Sequence, residues 1–545
     1  LNEFAKLKIF DFLTKSYYMD KLPFFFFLSI LITLSPSCKT KNENIQIQIR
    51  DPLIYEILGE RLIVPPSPSQ TPSPCIAGGI DIKNKQEMIN SLDKLKSAGF
   101  DVIRIDFFWE DLEPQEGKID EDKLQEYKDF VIESTKRNIE IMAIVAYGNW
   151  WASESAKSCY ETCLKNNAQS NGCKSACAKI IPDAQKYGKF AGFLAQNFPS
   201  VNMFEIWNEP NWVVFLQPNP SPEAYADIFL SAHSNIKKYD QKKKVILGGL
   251  LMSEITDIPN SLLYIWHEFL GKLREKGVLS LADAVAFHPY IGQKSIPYPP
   301  LLPPEDSENS AGSLIYYISS LKRALKSFTS EEKPIYITEI GWPANYSEET
   351  GKTYVSGSQM FISEETQANF IIRAFAISAM LGIEIFCIYT LKDMPYDSQP
   401  FHDAEKFFGI LKADSTPKKS YEAVKFTIPK IKGKYIGDIK TEIINENKNE
   451  EKIDSNNNNN NNKSSDDMNL VFSPAFEGED KNLRALFWVV GPAGTEKKEK
   501  VKVKVYIPEN SYIFSIYGEK ITNYEKGKGY IILEISSSPI IAEIK

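Results

Sequence analysis

From Gly78 onward the chain alternates short apolar runs with longer amphipathic ones, and it does so eight times. Candidate strands occupy 78–82, 101–107, 139–146, 201–207, 244–250, 282–287, 334–339 and 383–389. Amphipathic runs at 86–98, 121–137, 183–197, 221–239, 261–276, 311–327 and 363–381 separate them, and a last short helix is expected near 417–427. Eight strand-helix units between residues 78 and 430 predict an α/β fold, a closed (β/α)8 TIM barrel. An open doubly wound sheet is the alternative, but no Gly-x-Gly-x-x-Gly follows the first strand.

Two of these strands end in a glutamate. The motifs are Phe204-Glu205-Ile206-Trp207-Asn208-Glu209-Pro210 and Tyr336-Ile337-Thr338-Glu339-Ile340-Gly341-Trp342, with 130 residues between Glu209 and Glu339. Carboxyls raised at the ends of two strands of one barrel suit glycosidic bond hydrolysis, in which one protonates the leaving oxygen and the other attacks or activates water. Other candidates surround them. Arg104, in Val102-Ile103-Arg104-Ile105-Asp106, is expected to hold Glu339 ionised; His288 and Tyr290, in Phe287-His288-Pro289-Tyr290, are placed to donate to that carboxylate or to a sugar. Glu205 is expected to point into the lower barrel and pair with a cation. Among the aromatics at strand ends, Trp109, Trp150 and Trp342 are the expected sugar platforms.

These motifs resemble the clan A glycoside hydrolases, most closely the family 39 and family 5 types, over roughly residues 78–430. The resemblance implies a retaining enzyme on a β-glycosidic bond, with Glu209 as general acid/base and Glu339 as nucleophile. Asn208 would bond the sugar 2-hydroxyl. Relatives show Trp-Tyr in strand 8 where this chain has Ile388-Tyr389, so Tyr389 is the candidate substitute for the stacking Trp. Asp393, Phe407-Phe408-Gly409-Ile410 and Pro417-Lys418 match the closing segment and are expected to hold loop 8. Asp81 stands where many relatives carry a His, either binding a hydroxyl or capping a turn. No metal or organic cofactor is implied. Two other readings stay open: a transglycosylase using the same intermediate, and an inactive glycan-binding surface lipoprotein.

Around the barrel the composition changes. Lys21-Leu22-Pro23, the apolar run Phe24 to Leu34 and Ser35-Pro36-Ser37-Cys38 read as an export signal over 1–38, because the run is too short to span a bilayer. The residues before Cys38 resemble a relaxed bacterial lipoprotein processing site, making Cys38 the candidate lipidation site; the alternative is cleavage nearby with Cys38 an ordinary residue. Met19 is the expected translation start, with 1–18 as upstream read-through. The expected location is outside the cytoplasm: an outer or cell-surface membrane through the lipid anchor, or the periplasm. Residues 39–77 read as an N-terminal segment, able to supply a strand to an accessory domain, and a Pro-rich connector. Residues 431–545 show period-two alternation and predict an accessory β-sandwich, interrupted by a flexible Asn-rich insertion at 445–467.

Cys159, Cys163, Cys173 and Cys177 are spaced C-x3-C-x9-C-x3-C. Two short antiparallel helices turning at Asn171-Gly172 would pair Cys159 with Cys177 and Cys163 with Cys173. A metal site is the rival, but the segment lacks His and the closer C-x2-C pairs usual for zinc. Cys387 reads as a buried thiol, and Cys75 has no assigned role. With 71 acidic against 63 basic residues and a formal charge of -8, a carbohydrate partner is expected and a nucleic-acid partner is not.

Overall fold

The computed structural model describes residues 49–50, 69–166, 170–252, 259–291, 302–305, 313–347, 352–353, 361–395, 404–444, 469–491 and 495–545. The expected export signal, Cys38 and the Asn-rich insertion at 445–467 lie outside the described residues.

Eight parallel strands close into a barrel: β1 (Ser73–Ala77), β2 (Val102–Phe108), β3 (Glu140–Ala146), β4 (Met203–Ile206), β5 (Lys244–Leu251), β6 (Ala284–His288), β7 (Ile335–Ile340) and β8 (Ile385–Tyr389), with β8 pairing back onto β1. Several of the described helices start where the sequence supplies a capping side chain. Asn84, Asp120, Asp183, Ser221, Ser313 and Ser363 each accept a hydrogen bond from a backbone N–H in the first turn. Inside the barrel, Cys75, Val102, Met142, Met203, Ile246, Tyr336 and Cys387 belong to one apolar plug. The polar residues of the site stand at the carboxyl ends of the strands, as barrel enzymes require.

Strands β2 to β8 fall where the apolar runs predict them, but the first strand does not. It lies in the Pro-rich stretch expected to be a connector, upstream of 78–82. Pro74 is tolerated because it sits at the amino-terminal rim of β1, where β2 has not yet begun; only its carbonyl is used, accepting from Asp101 N at 2.9 Å. Gly78 and Gly79, at φ 68° and 79°, then turn the chain out of the barrel. Asp81 lies in that exposed turn and accepts from Lys83 N at 3.0 Å, so it caps the turn.

This shift also corrects the cysteines. Cys75 and Cys387 are register partners across β1 and β8, with Cα atoms 4.0 Å apart, and they form a disulfide rather than leaving Cys387 a free thiol. After β3, the helices Glu154–Lys165 and Ser170–Ala178 are joined by Cys159–Cys177 and Cys163–Cys173 disulfides. Asn171-Gly172 lies within the second helix, so the turn comes earlier than expected. Three disulfides suit an oxidising compartment. Among the described residues no helix is long and apolar enough to cross a membrane.

Beside the barrel stands an antiparallel sandwich of a nine-stranded and a four-stranded sheet. The larger sheet recruits two strands from the N-terminal segment: Ile49–Arg50 and Ser69–Gln70 both pair with Gly433–Ile439. Only Thr71 and Pro72 separate that sheet from β1. The contact between the two parts joins their apolar cores and includes a buried polar cluster. Arg373, fully buried on the helix Glu364–Met380, donates to Glu305 and to Glu496, and Trp488 Nε1 donates to Glu305 Oε1 at 2.8 Å.

Candidate active site

Strand alternation turns Arg104 on β2, Glu205 on β4 and Thr338 on β7 into the barrel above the apolar plug, and all three are buried. Arg104 is the hub. Its Nε and Nη2 donate to Glu205 Oε2 and Oε1 at 2.6 and 2.9 Å, Nη2 donates to Asn208 Oδ1 at 2.8 Å, and Nη1 donates to Glu339 Oε1 at 2.6 Å. Glu205 therefore pairs with a cation, as expected, but directly beneath the site and not in the lower barrel. With Oδ1 of Asn208 held by Arg104, its Nδ2 is left as the donor toward a substrate.

Past β4 the backbone turns sharply. Trp207 and Glu209 take φ of 70° and 43°, values uncommon for non-glycine residues and held here by packing. Trp207 is fully buried, with Nε1 donating to Phe215 O at 3.0 Å; Glu209 N donates to Gly249 O at 3.1 Å. Gly249 is required by its neighbours. A Cβ there would lie 2.1 Å from His288 Nε2.

His288 Nδ1 lies 2.7 Å from Glu209 Oε1 and 3.7 Å from Glu339 Oε2, so its first partner is Glu209 and not the carboxylate expected from sequence. Its Nε2 lies 3.0 Å from Thr338 Oγ1, whose hydroxyl donates to Glu205 Oε1 at 3.4 Å. With the Thr338 hydrogen directed at that carboxylate, the hydroxyl accepts from Nε2–H. Nδ1 is then an acceptor, and the proton between His288 and Glu209 belongs to Glu209. Tyr290 donates to Glu339 Oε2 at 2.9 Å.

Burial pushes both the Glu209 and the Glu339 carboxyls above the usual carboxylate range. The opposing forces differ. Glu339 has the Arg104 charge and the Tyr290 hydroxyl in contact, whereas Glu209 has only the imidazole, which burial keeps low in basicity. A proton shared by the two therefore rests on Glu209. Glu209, His288 and Glu339 bring one ligand atom each within 4.8 Å of one another. A cation could sit there only in competition with Arg104, which already neutralises Glu339.

Two of the three expected platforms are core residues. Trp109 is 1% exposed, stacks on Phe190 at 5.1 Å and donates to Glu113 Oε2; Trp342 is fully buried and donates to Leu302 O at 2.9 Å. Both rings face away from the cleft because the chain turns into a helix or loop directly after the strand. Trp150 is partly buried against Tyr160, 4.4 Å between rings, on the disulfide-stapled hairpin. Tyr389 is partly buried beside Phe408, and its hydroxyl donates to Glu405 at 3.3 Å. Asp393 accepts from Gly409 N and Lys418 Nζ, which ties down the loop after β8. Thr338, Gly249 and Asp106 were not singled out from sequence. The Gly248-Gly249 pair inside an apolar strand was the available signal for close packing.

The sequence matches the cellulase model (glycosyl hydrolase family 5) over residues 75–366. No curated protein matches it. Among solved structures it is similar to a family 39 glycoside hydrolase from Bacteroides cellulosilyticus, with 19% identity over 87% of this chain and 81% of that one and a TM-score of 0.56. It is also similar to a family 39 enzyme from Xanthomonas axonopodis pv. citri, with 13% identity, 92% and 97% coverage and a TM-score of 0.54. A monomeric beta-xylosidase from Caulobacter crescentus shares 13% identity over 88% of this chain and 98% of that one, with a TM-score of 0.50. These likenesses agree with the barrel and its attached sandwich, and the family match spans more than half of the sequence. The chain belongs to glycosyl hydrolase family 5, the cellulase family, and is a retaining glycoside hydrolase of clan A acting on β-glycosidic bonds.

Proposed function

We propose that Glu339 attacks the anomeric carbon of a β-linked oligo- or polysaccharide while Glu209 protonates the leaving oxygen. Glu209 then acts as base toward water, which releases the sugar from Glu339. The observation that carries this assignment is the spacing. Oxygens of Glu209 and Glu339 lie within 4.8 Å of one another, near the separation of about 5–5.5 Å that favours direct attack and below the roughly 6.5–9.5 Å that admits a water. Arg104 and Tyr290 keep the nucleophile ionised. His288 holds the proton-bearing face of Glu209. Asn208 donates to the 2-hydroxyl, an interaction that strengthens as charge develops at the anomeric carbon. Tyr389 and Trp150 flank the sugar.

The catalytic part is the barrel, and the C-terminal sandwich braces it. Export followed by lipidation at Cys38 would tether the enzyme outside the cytoplasm, a setting that suits its disulfides.

The test is covalent trapping. An activated 2-deoxy-2-fluoro glycoside should add one glycosyl mass to the wild-type peptide containing Glu339 and none to Glu339→Gln. A label on another residue, or near-wild-type turnover by Glu339→Gln, would overturn the nucleophile assignment.

A further inference from the structure

The hairpin stapled by Cys159–Cys177 and Cys163–Cys173 does more than cover the barrel rim. Its second helix ends at Ala178, and Lys179 follows it directly. Gly148 N, just past β3, donates to Ala178 O at 2.8 Å, and Gln217 N, in the loop after β4, donates to Lys179 O at 2.9 Å. Gly148 is needed for this approach, since a Cβ there would lie 2.8 Å from Ala178 O and 2.9 Å from Ile180 O. Lys179 Nζ rests 4.7 Å from the centre of the Phe215 ring and 5.7 Å from that of Tyr147, whose own ring packs on Trp207, two residues before Glu209. Among the described residues Lys179 makes no ion pair, although Asp106, Glu110 and Glu209 are near enough to act on its charge.

The carboxylates facing it are short of donors. Asp106, two residues along β2 from Arg104 and on the same face, has Oδ1 buried without a hydrogen-bond partner. Glu110 accepts from Ser175 of the hairpin at 2.8 Å through Oε1, but its Oε2 is buried without a partner. Each such oxygen is costly unless a donor arrives. A sugar hydroxyl can donate to one of them and accept from an ammonium at the same time.

Resting on the glycosidase reading above, we propose that Lys179, Asp106 and Glu110 form a hydroxyl clamp that selects an uncharged sugar unit beside the catalytic pair. The choice of an uncharged sugar follows from the local charge. Arg104 and Lys179 act on Asp106, and Lys174 and Lys179 on Glu110, but Arg104 is committed to Glu205, Asn208 and Glu339, so a uronate or sulfate would bring a further acceptor to oxygens that already lack donors.

The test uses aryl β-glycosides of neutral hexoses and pentoses beside the matching aryl β-glucuronide, with neutral β-linked polysaccharides as a control for activity. The wild type should prefer a neutral member. Lys179→Met should lose about tenfold or more in kcat/KM on it, mainly through KM, with an unchanged melting temperature. Asp106→Asn should lose a similar factor, and the double variant less than the product of the two, because both groups hold one hydroxyl. Lys179→Met within about twofold of wild type would overturn the clamp. So would a wild-type preference for the glucuronide that Lys179→Met abolishes. If the wild type cleaved neither the aryl glycosides nor the polysaccharides, the glycosidase assignment itself would fall.

Discussion

Replacing Arg104 with lysine keeps one positive charge at the centre of the site but removes the planar fork. The guanidinium makes four hydrogen bonds from three nitrogens to Glu205, Asn208 and Glu339. A single ammonium cannot reproduce the bidentate grip on Glu205 and also reach both other acceptors. Two charge-assisted bonds are then lost, each contributing about 1.5–3 kcal/mol, so the combined loss is about 3–6 kcal/mol between stability and transition-state binding. Where Glu339 is an acceptor left behind, its ionised form loses support and its pKa rises. More of the nucleophile is then protonated at a given pH, so the acid limb of kcat/KM moves to higher pH. Steady-state kinetics from about pH 4 to pH 8, beside a denaturant unfolding curve, read both effects. A profile that falls in height but keeps its acid limb in place would refute the claim that Arg104 sets the ionisation of Glu339.

Other perturbations test separate parts of the argument. Gly249→Ala should push the His288 ring off Glu209 and Thr338, since the added carbon would sit 2.1 Å from Nε2; kcat/KM should fall by about tenfold or more, and unchanged kinetics would show that the ring position is not critical. Burial pushes Asp106 up to about 6 from an ordinary value of 3.8. Its contribution to stability is therefore complete below the unfolded value and lost as pH rises through about 6, at most about 3 kcal/mol. Asp106→Asn should flatten the stability curve over that window, as measured by unfolding at a series of pH values. Removing the Cys75–Cys387 disulfide, which spans 312 residues, should cost up to about 5–6 kcal/mol on chain entropy, against about 3 for either hairpin disulfide spanning 18 or 10 residues. Unfolding midpoints of the three paired-Ala variants would reverse that ranking if native strain dominated.

The barrel was readable because seven of its strands are largely buried on both faces and so appear as mostly apolar runs between amphipathic helices. β1 is hard to read because Pro72 precedes and Ser73-Pro74 open a strand of only five residues, and its place is fixed by pairing with β8 more than by its own composition. The same register hid the Cys75–Cys387 bridge, since no local spacing relates residues 312 apart. Arg104 and Glu339 could be found because each sits at a definite step of a strand, and Glu209 because it stands in the Trp207-Asn208-Glu209-Pro210 motif just past one. Trp109 and Trp342 could not be sorted from sugar-facing rings, because the chain leaves the strand just before each of them and alternation no longer tells which way a side chain points. Asp106 and Lys179 become noticeable only once the hairpin is folded over the barrel rim.

Because the chain leaves the larger sheet at Gln70 and enters the barrel at Ser73, the two parts are interleaved in sequence, not strung end to end. A gene fragment ending at Ile431 would not encode a smaller enzyme: Ser69–Gln70 would lose its pairing with Gly433–Ile439, and Arg373 would lose Glu496. Exchange of the C-terminal part by recombination is correspondingly constrained. Any replacement would have to arrive with its own edge for that incoming strand and its own acid for that buried guanidinium.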